Sequence, residues 1–293
     1  MKIIDGKAVA EELKNSMKQD VLEYQKRTGR VPHLAAILVG NNPASKAYVG
    51  NKVKSCDQVG FRSTLIKLEE SVTEQDLLSE IDKLNNDPDV DGFIVQLPLP
   101  KHINEVNVIL AIDPKKDVDG FHPVNFGRMA QGLPSYLPAT PYGITLLLER
   151  YNIETAGKYV VVVGRSNIVG TPISILLSRK TKMGDATVTL AHSRTKNLSK
   201  IVSEGDIVIA AIGIPGFITS DMIKPGAVVI DVGINRVEDD ALQAKSRLVG
   251  DVDFEGVKDK TSYITPVPGG VGPMTVMGLM MNTFKSAQKE VYQ

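Results

Sequence analysis

The strongest constraint on the fold is a repeated alternation, in which short runs rich in valine and isoleucine are separated by amphipathic stretches long enough for a helix. Buried parallel strands read as near-continuous apolar runs, and the crossover helices between them supply the periodic segments. The runs "HLAAILVG" (33 to 40), "FRSTLIKL" (61 to 68) and "DGFIVQLPL" (91 to 99) mark strands in the first half. In the second half "KYVVVVG" (158 to 164), "ATVTLAH" (186 to 192), "DIVIAAIG" (206 to 213) and "AVVIDVG" (227 to 233) do the same. The pattern predicts an α/β protein with two α/β domains, and 293 residues with 42% hydrophobic content are enough to bury two cores.

Punctuation between the runs places the helices. Asn42 and Pro43 open a helix predicted over 44 to 58, with Gly60 past its end, and Ser71 with Glu74 reads as a capping box for the next. The stretch "GRMAQGLPSYLPATPYG" (127 to 143) is rich in proline and glycine with little periodicity, which puts the passage between domains there. After the second alternation, "YITPVPGGVGPMTVMGLMMNTFKSAQKE" resumes with a Gly/Pro loop and a helix that is expected to pack back on the first domain. Its Met274, Met277, Met280 and Met281 recur at helical spacing and read as core rather than as a ligand box. The expected domains are 1–139 plus 276–293, and 140–275.

Charge and composition exclude several classes. Thirty-four basic and 34 acidic residues cancel, unlike the basic balance of a nucleic-acid binder, so small molecules are the expected partners. The N-terminal "MKIIDGKAVAEELKN" has no apolar signal region, and no apolar run approaches the roughly 20 residues a bilayer requires, so no membrane partner and a cytoplasmic location are expected. The single Cys56 allows no internal disulfide, and His33, His102, His122 and His192 lie apart without metal-ligand spacing, so no metal is expected.

The segment "YVVVVGRSNIVGTPIS" (159 to 174) is a buried strand followed at once by a glycine turn and a helix, the context that a dinucleotide fingerprint needs. The spacing is G-x-S-x-x-x-G, through Gly164, Ser166 and Gly170; Ser166 would add a hydroxyl donor, and free N–H groups at the helix start favour a phosphate. The alternative is that Gly164 simply ends a strand. The next strand ends in "AHSRT", with His192, Ser193, Arg194 and Thr195 and no acid. A carboxylate there would hold a ribose 2'-hydroxyl and repel a 2'-phosphate, so NADP is favoured over NAD, with Arg165 as a second guanidinium; the bland reading is a solvated Arg194.

In "KAYVGNKVKSC" (46 to 56), Tyr48 and Lys52 are four residues apart and share one edge of a helix. Taken alone this fits a surface lysine lying along a tyrosine. Further segments change that weight: "VDGFIVQLPLP" ends a buried strand with Gln96, "DPKKDVDGFHP" sets Asp117 and Asp119 in a loop, and "TPVPGGVGPMT" (265 to 275) is a stiff glycine-rich turn.

These pieces together resemble the methylenetetrahydrofolate dehydrogenase/cyclohydrolase family. "AYVGNKVKSCDQVGF", preceded by "NNPAS", and "PGGVGPMT" look like its two signature stretches; "QLPLP", "DVDGFHP", "TPYGI" and "VVGRSNIVG" follow in its order across nearly the whole chain. Where the family usually has cysteine in a "P-C-T-P" turn, this chain has Ala139, a change read as packing. The resemblance implies an N-terminal folate-binding catalytic domain, a Rossmann-type NADP-binding domain and a homodimer. It also implies oxidation of 5,10-methylenetetrahydrofolate and hydrolysis of the methenyl product to 10-formyltetrahydrofolate, a supply of one-carbon units to purine biosynthesis. By resemblance, Lys52 is the catalytic lysine, Tyr48 stacks on the aminobenzoate ring, Gln96 is the lysine's partner with Leu97 beside it, and Asp119 holds the pterin. Pro268, Gly269, Gly270 and Gly272 correspond to the strip that lines the folate, and Gly164, Arg165, Ser166, Ser193 and Ile234 to the NADP contacts. Two other readings are a shikimate-type NADP-dependent dehydrogenase, which lacks "PGGVGPMT", and a non-catalytic nucleotide-binding protein on the same fold.

Overall fold

A computed structural model of the chain describes residues 1–238 and 246–292. The chain clusters into two compact units, one of Met1–Ala10 with Thr140–Thr275 and one of Glu11–Ala139 with Val276–Gln293. Residues 1–10 thus fall outside the division expected from the sequence. The reason is β1 (Lys2–Ile3), which pairs in parallel with a strand near residue 263 of the larger sheet. No helix among the described residues is long and apolar enough to cross a membrane.

The unit that begins at Glu11 holds a three-stranded parallel sheet of β2 (His33–Val39), β3 (Arg62–Leu68) and β4 (Gly92–Val95), in the order β3-β2-β4. Every residue of the central β2 is buried, as expected of a strand flanked on both sides and covered on both faces. The helix Glu74–Asn86 adds Leu77, Ile81 and Leu84, spaced to form one apolar face, to a core with Ile37 and Phe93. Its cap differs from the expected Ser71/Glu74 box. Thr73 is the N-cap and its hydroxyl oxygen accepts from Asp76 N at 3.1 Å, while Glu74 instead accepts from Asn104 N at 2.7 Å and Asn107 Nδ2 at 2.8 Å.

The C-terminal helix Val271–Ala287 closes this unit from Val276 onward. Phe284 packs on Tyr24 and Phe61 at ring separations of 5.9 and 6.2 Å. Gly278 has no room for a side chain, since a Cβ would lie 2.3 Å from Ala139 O, so helix and residue 139 touch backbone to backbone. Met274, Met277 and Met280 are fully buried and Met281 partly, which is core packing. The 127–143 stretch is more regular than its composition implies: helices Pro123–Ala130 and Ala139–Arg150 take both its ends, with only 131–138 irregular.

The other unit contains β5 (Tyr159–Val163), β6 (Thr187–Ala191), β7 (Ile207–Ala210) and β8 (Val228–Asp231). After β8 come an antiparallel ribbon, β9 (Asn235–Glu238) with β10 (Ser246–Val249), and then β11 (Tyr263–Ile264). The main sheet is parallel with the order β1-β11-β8-β7-β5-β6. From β5 the chain first adds β6 on one side and then β7 on the other. That reversal of direction opens a crevice at the carboxyl end of β5, where doubly wound sheets bind dinucleotides.

Candidate active site

In the three-stranded sheet the chain likewise adds β3 on one side of β2 and then β4 on the other, and the site grows from the carboxyl ends of β2 and β4. After β2 the chain enters helix Pro43–Val59, one residue longer at each end than expected. Asn42 Oδ1 accepts from Ala44 N and Ser45 N at 2.9 and 3.2 Å, and Gly60 ends the helix at φ 83°. β4 ends at Val95 and delivers Gln96, whose N–H donates to Ile37 O at 2.9 Å. Two turns into the helix, Lys52 is only 9% exposed and its Nζ donates to Gln96 Oε1 at 3.1 Å. Gln96 Nε2 donates to Leu97 O at 2.7 Å, which turns the amide oxygen toward the amine. Tyr48, one turn earlier, is 39% exposed. The bland reading of a surface lysine lying along a tyrosine is therefore wrong for the lysine.

Burial is the larger influence on Lys52 and lowers its pKa below 10.5, while the Asp119 charge opposes it more weakly. The same burial raises the Asp119 pKa, with the Lys52 charge pulling it down. Both shifts favour uncharged forms, and an amine whose pKa is lowered toward neutrality serves as both base and acid. The neutral amide of Gln96 holds the amine in place without pinning a positive charge on it, as a carboxylate would.

Asp119 sits in a tightly held loop. Gly120, at φ 74°, donates to Asp117 O at 3.1 Å, and Ala139 N donates to Asp119 O at 3.2 Å. Asp117 is buried and its carboxylate accepts from Phe121 N at 3.2 Å, His122 N at 2.8 Å and Asn125 Nδ2 at 2.9 Å. Desolvation outweighs those donors and pushes its pKa up to about 7. Sequence reasoning noticed Asp117 but not its partner Asn125, which carries no local signal.

At the carboxyl end of β5, Gly164 adopts φ 119°, and a Cβ there would lie 2.0 Å from Ala211 O. A Cβ on Gly170 would lie 1.9 Å from Gly164 O, so both glycines are needed for helix Gly170–Ser178 to close on the strand end. Ser166 Oγ accepts from Val169 N at 3.1 Å and Gly170 N at 3.4 Å, and Ser166 O from Thr171 N at 3.0 Å, so the N–H groups expected to be free at this helix start are engaged within the turn itself, while the Ser166 hydroxyl hydrogen is left for another acceptor. After β6, His192 N donates to Thr195 Oγ1 at 2.9 Å and Arg194 N to His192 Nδ1 at 3.2 Å; this turn leaves Ser193 and Arg194 exposed, as Arg165 is. A glycine cradle at a helix start, with exposed guanidiniums and no acid after β6, fits a dinucleotide carrying a 2'-phosphate.

The glycine-rich loop after β11 belongs to the same unit. Gly269, at φ 108°, accepts from Lys7 N at 3.0 Å through its carbonyl, and a Cβ on Gly6 would lie 1.8 Å from Gly270 O. The Val267–Pro268 bond is cis, as is Leu97–Pro98. Gly272 lies beside Ile234, which is exposed. Sequence reasoning missed a buried aspartate pair that ties the neighbouring loops together. Asp231 accepts from Gly233 N and Asp251 N at 2.9 Å and Val252 N at 3.0 Å; Asp251 accepts from Ile212 N at 2.6 Å, Gly213 N at 2.9 Å and Asn235 Nδ2 at 2.9 Å. An acid ending the apolar run "AVVID" was the available signal.

A parallel sheet with a glycine cradle at its switch point, and a separate α/β unit that buries a lysine against a neutral amide, define a two-domain dinucleotide-dependent α/β enzyme. Residues 138–291 match the family model described as tetrahydrofolate dehydrogenase/cyclohydrolase, NAD(P)-binding domain, and residues 4–119 match the catalytic domain of the same family. The chain belongs to the tetrahydrofolate dehydrogenase/cyclohydrolase family. It is similar to the bifunctional protein FolD of Flavobacterium johnsoniae, with 60% identity over 284 residues, covering 97% of this chain and 96% of the relative. Among solved structures, it resembles the bifunctional FolD dehydrogenase/cyclohydrolase of Campylobacter jejuni, with TM-score 0.92, 46% identity and 99% of each chain covered. It also resembles the Trypanosoma brucei FolD complexed with NADP cofactor and inhibitor, with TM-score 0.93, 39% identity, and 99% of this chain and 98% of that one covered. The protein is thus a bifunctional enzyme, oxidising 5,10-methylenetetrahydrofolate and hydrolysing the 5,10-methenyl product to 10-formyltetrahydrofolate. Family membership decides against the shikimate-type and non-catalytic readings.

Proposed function

We propose that Lys52 carries both proton transfers of the hydrolytic step and that NADP is the dinucleotide of the oxidative one. Bound NADP supplies the acceptor for the hydride leaving the methylene carbon. The two nitrogens flanking that carbon stabilise the resulting cation, so the chain mainly has to align the reactants, and this step asks little acid or base help. Tyr48 stacks on the aminobenzoate ring, Asp119 holds the pterin, and Leu97, Pro268, Gly269, Gly270 and Gly272 line the folate. Gly164, Arg165, Ser166, Gly170, Ser193, Arg194 and Ile234 hold the dinucleotide. The absence of an acid in His192–Thr195 and the NADP bound by the trypanosomal relative support NADP over NAD.

Hydrolysis requires water to add to the cationic methenyl carbon. Lys52 takes the first proton that the water loses, and the ammonium so formed returns it to the ring nitrogen as the carbon–nitrogen bond breaks; the hydroxyl proton of the adduct leaves to solvent as the formyl group forms on the other nitrogen, so the step releases one proton overall. The observation that carries this reading is the buried Lys52 amine, 3.1 Å from the neutral Gln96 oxygen. The test follows NADPH formation and methenyl decay separately in Lys52→Met. Loss of the decay with NADP binding retained supports the assignment, and an undiminished decay removes Lys52 from it. A homodimer in the cytoplasm, feeding one-carbon units to purine biosynthesis, completes the proposal; light scattering of the purified protein checks the dimer.

A further inference from the structure

The C-terminal Tyr292 has no part in the chemistry above, yet its hydroxyl donates to Asn125 Oδ1 at 2.8 Å. Asn125 is fully buried, and that bond orients its amide. The nitrogen therefore faces inward, donating to Asp117 Oδ2 and to Pro114 O, each at 2.9 Å. The only other donor to Asn125 Oδ1 among the described contacts is Tyr136 N at 3.4 Å, a long bond. Without the Tyr292 hydroxyl, the amide loses its main bias against turning over, which would set a carbonyl oxygen against the Asp117 carboxylate.

Asp117 in turn gathers Phe121 N and His122 N on its two oxygens, and so closes the loop 117–122 that has Asp119 at its bend. The other side of the loop is pinned independently: Asn282 Nδ2 donates to Val118 O at 2.8 Å and to Leu137 O at 2.7 Å. With one side anchored to the helix and the other held through Asp117, the placement of Asp119 depends on a chain of hydrogen bonds that starts at residue 292. The ring of Tyr292 is held in place by Tyr136, at a centroid separation of 5.8 Å, and by the Arg128 guanidinium 4.8 Å above it.

We propose that Tyr292 is a positioning residue for folate binding, acting through Asn125 and Asp117 on the loop that carries Asp119. The inference rests on the reading of Asp119 as the carboxylate that holds the pterin. It makes the C-terminal end of the chain a determinant of folate affinity in both reactions, without contact to substrate.

The test is a double-mutant cycle on the full chain with Tyr292→Phe and Asp119→Asn, measuring KM and kcat for methylenetetrahydrofolate, KM for NADP and thermal stability. Phenylalanine keeps the ring packing, so the fold survives. Losing one neutral hydrogen bond in the chain should raise the folate KM about threefold to tenfold, with kcat and the NADP KM within about twofold. In the Asp119→Asn background the same change should have little further effect, since groups acting through one another are non-additive. Equal fold-changes in both backgrounds, an unchanged folate KM in Tyr292→Phe, or a matching rise in the NADP KM would overturn the proposal. If Asp119→Asn alone leaves the folate KM unchanged, the pterin reading of Asp119 fails and the relay falls with it. An effect of Asp119→Asn without one of Tyr292→Phe overturns the relay alone.

Discussion

Replacing Lys52 with methionine separates the two reactions. Lys52 is 9% exposed, so the substitution puts an apolar side chain of similar length into a buried slot and removes an amine that is costly to desolvate. Against that gain stands one lost hydrogen bond to Gln96, worth about 1 kcal/mol net, and Gln96 keeps its own bond to Leu97 O. The two effects offset, so the melting temperature should move by no more than about 2–4 °C. Loss of a general acid and base costs about 10²–10⁴ in rate, so methenyl decay in the variant should fall by that factor while NADP still binds. The assay follows methenyl and NADPH absorbance in one cuvette, with NADP affinity measured by cofactor titration. A variant that decays methenyl at the parent rate refutes the role of the lysine. A variant that loses NADP binding in step would mean that the substitution disturbs the fold.

Three further outcomes test other parts of the account. Arg194→Ala removes an exposed guanidinium after β6 and should raise the KM for NADP by about 10–100-fold, the size of a charge-assisted contact, while changing that for NAD far less; equal effects would mean that the 2'-phosphate is bound elsewhere. Gly170→Ala places a methyl group 1.9 Å from Gly164 O, so cofactor titration should show NADP binding lost or weakened beyond about tenfold, with methenyl hydrolysis less affected. The lowered pKa of Lys52 means that between its folded value and 10.5 the unfolded chain binds the extra proton, so stability rises with pH across that window; denaturant titrations should show this slope in the parent and its loss in Lys52→Met.

What was legible in the sequence was what burial writes into residue order. The seven runs all became parallel strands; the central β2, β5, β7 and β8 are buried along nearly their whole length and so are apolar throughout, whereas the edge strands β3 and β6 are largely half-buried and tolerate polar residues, and the glycine turn after β5 is legible from its place between strand and helix. What escaped was short or distant. β1 and β11 are two residues each, too short for any period, and β9 and β10 are four residues each with no fully buried position, so neither carries an apolar run. The cap at Thr73 was misplaced by two residues because Ser71 and Thr73 offer the same hydroxyl chemistry, and only the backbone decides which one accepts from the helix. Tyr48 and Lys52 could be paired from their spacing, but the Asp117, Asn125 and Tyr292 chain joins residues up to 175 positions apart, and no local pattern reports it.

Acid and base duty at Lys52 requires an amine whose pKa burial has lowered, and direct titration of that nitrogen is the sharpest test. In protein labelled with ¹⁵N-lysine, the Lys52 Nζ resonance, assigned by its loss in Lys52→Met, should titrate with a midpoint below the ordinary 10.5. A midpoint at or above that value would leave a fixed ammonium in the site, unable to take a proton from water.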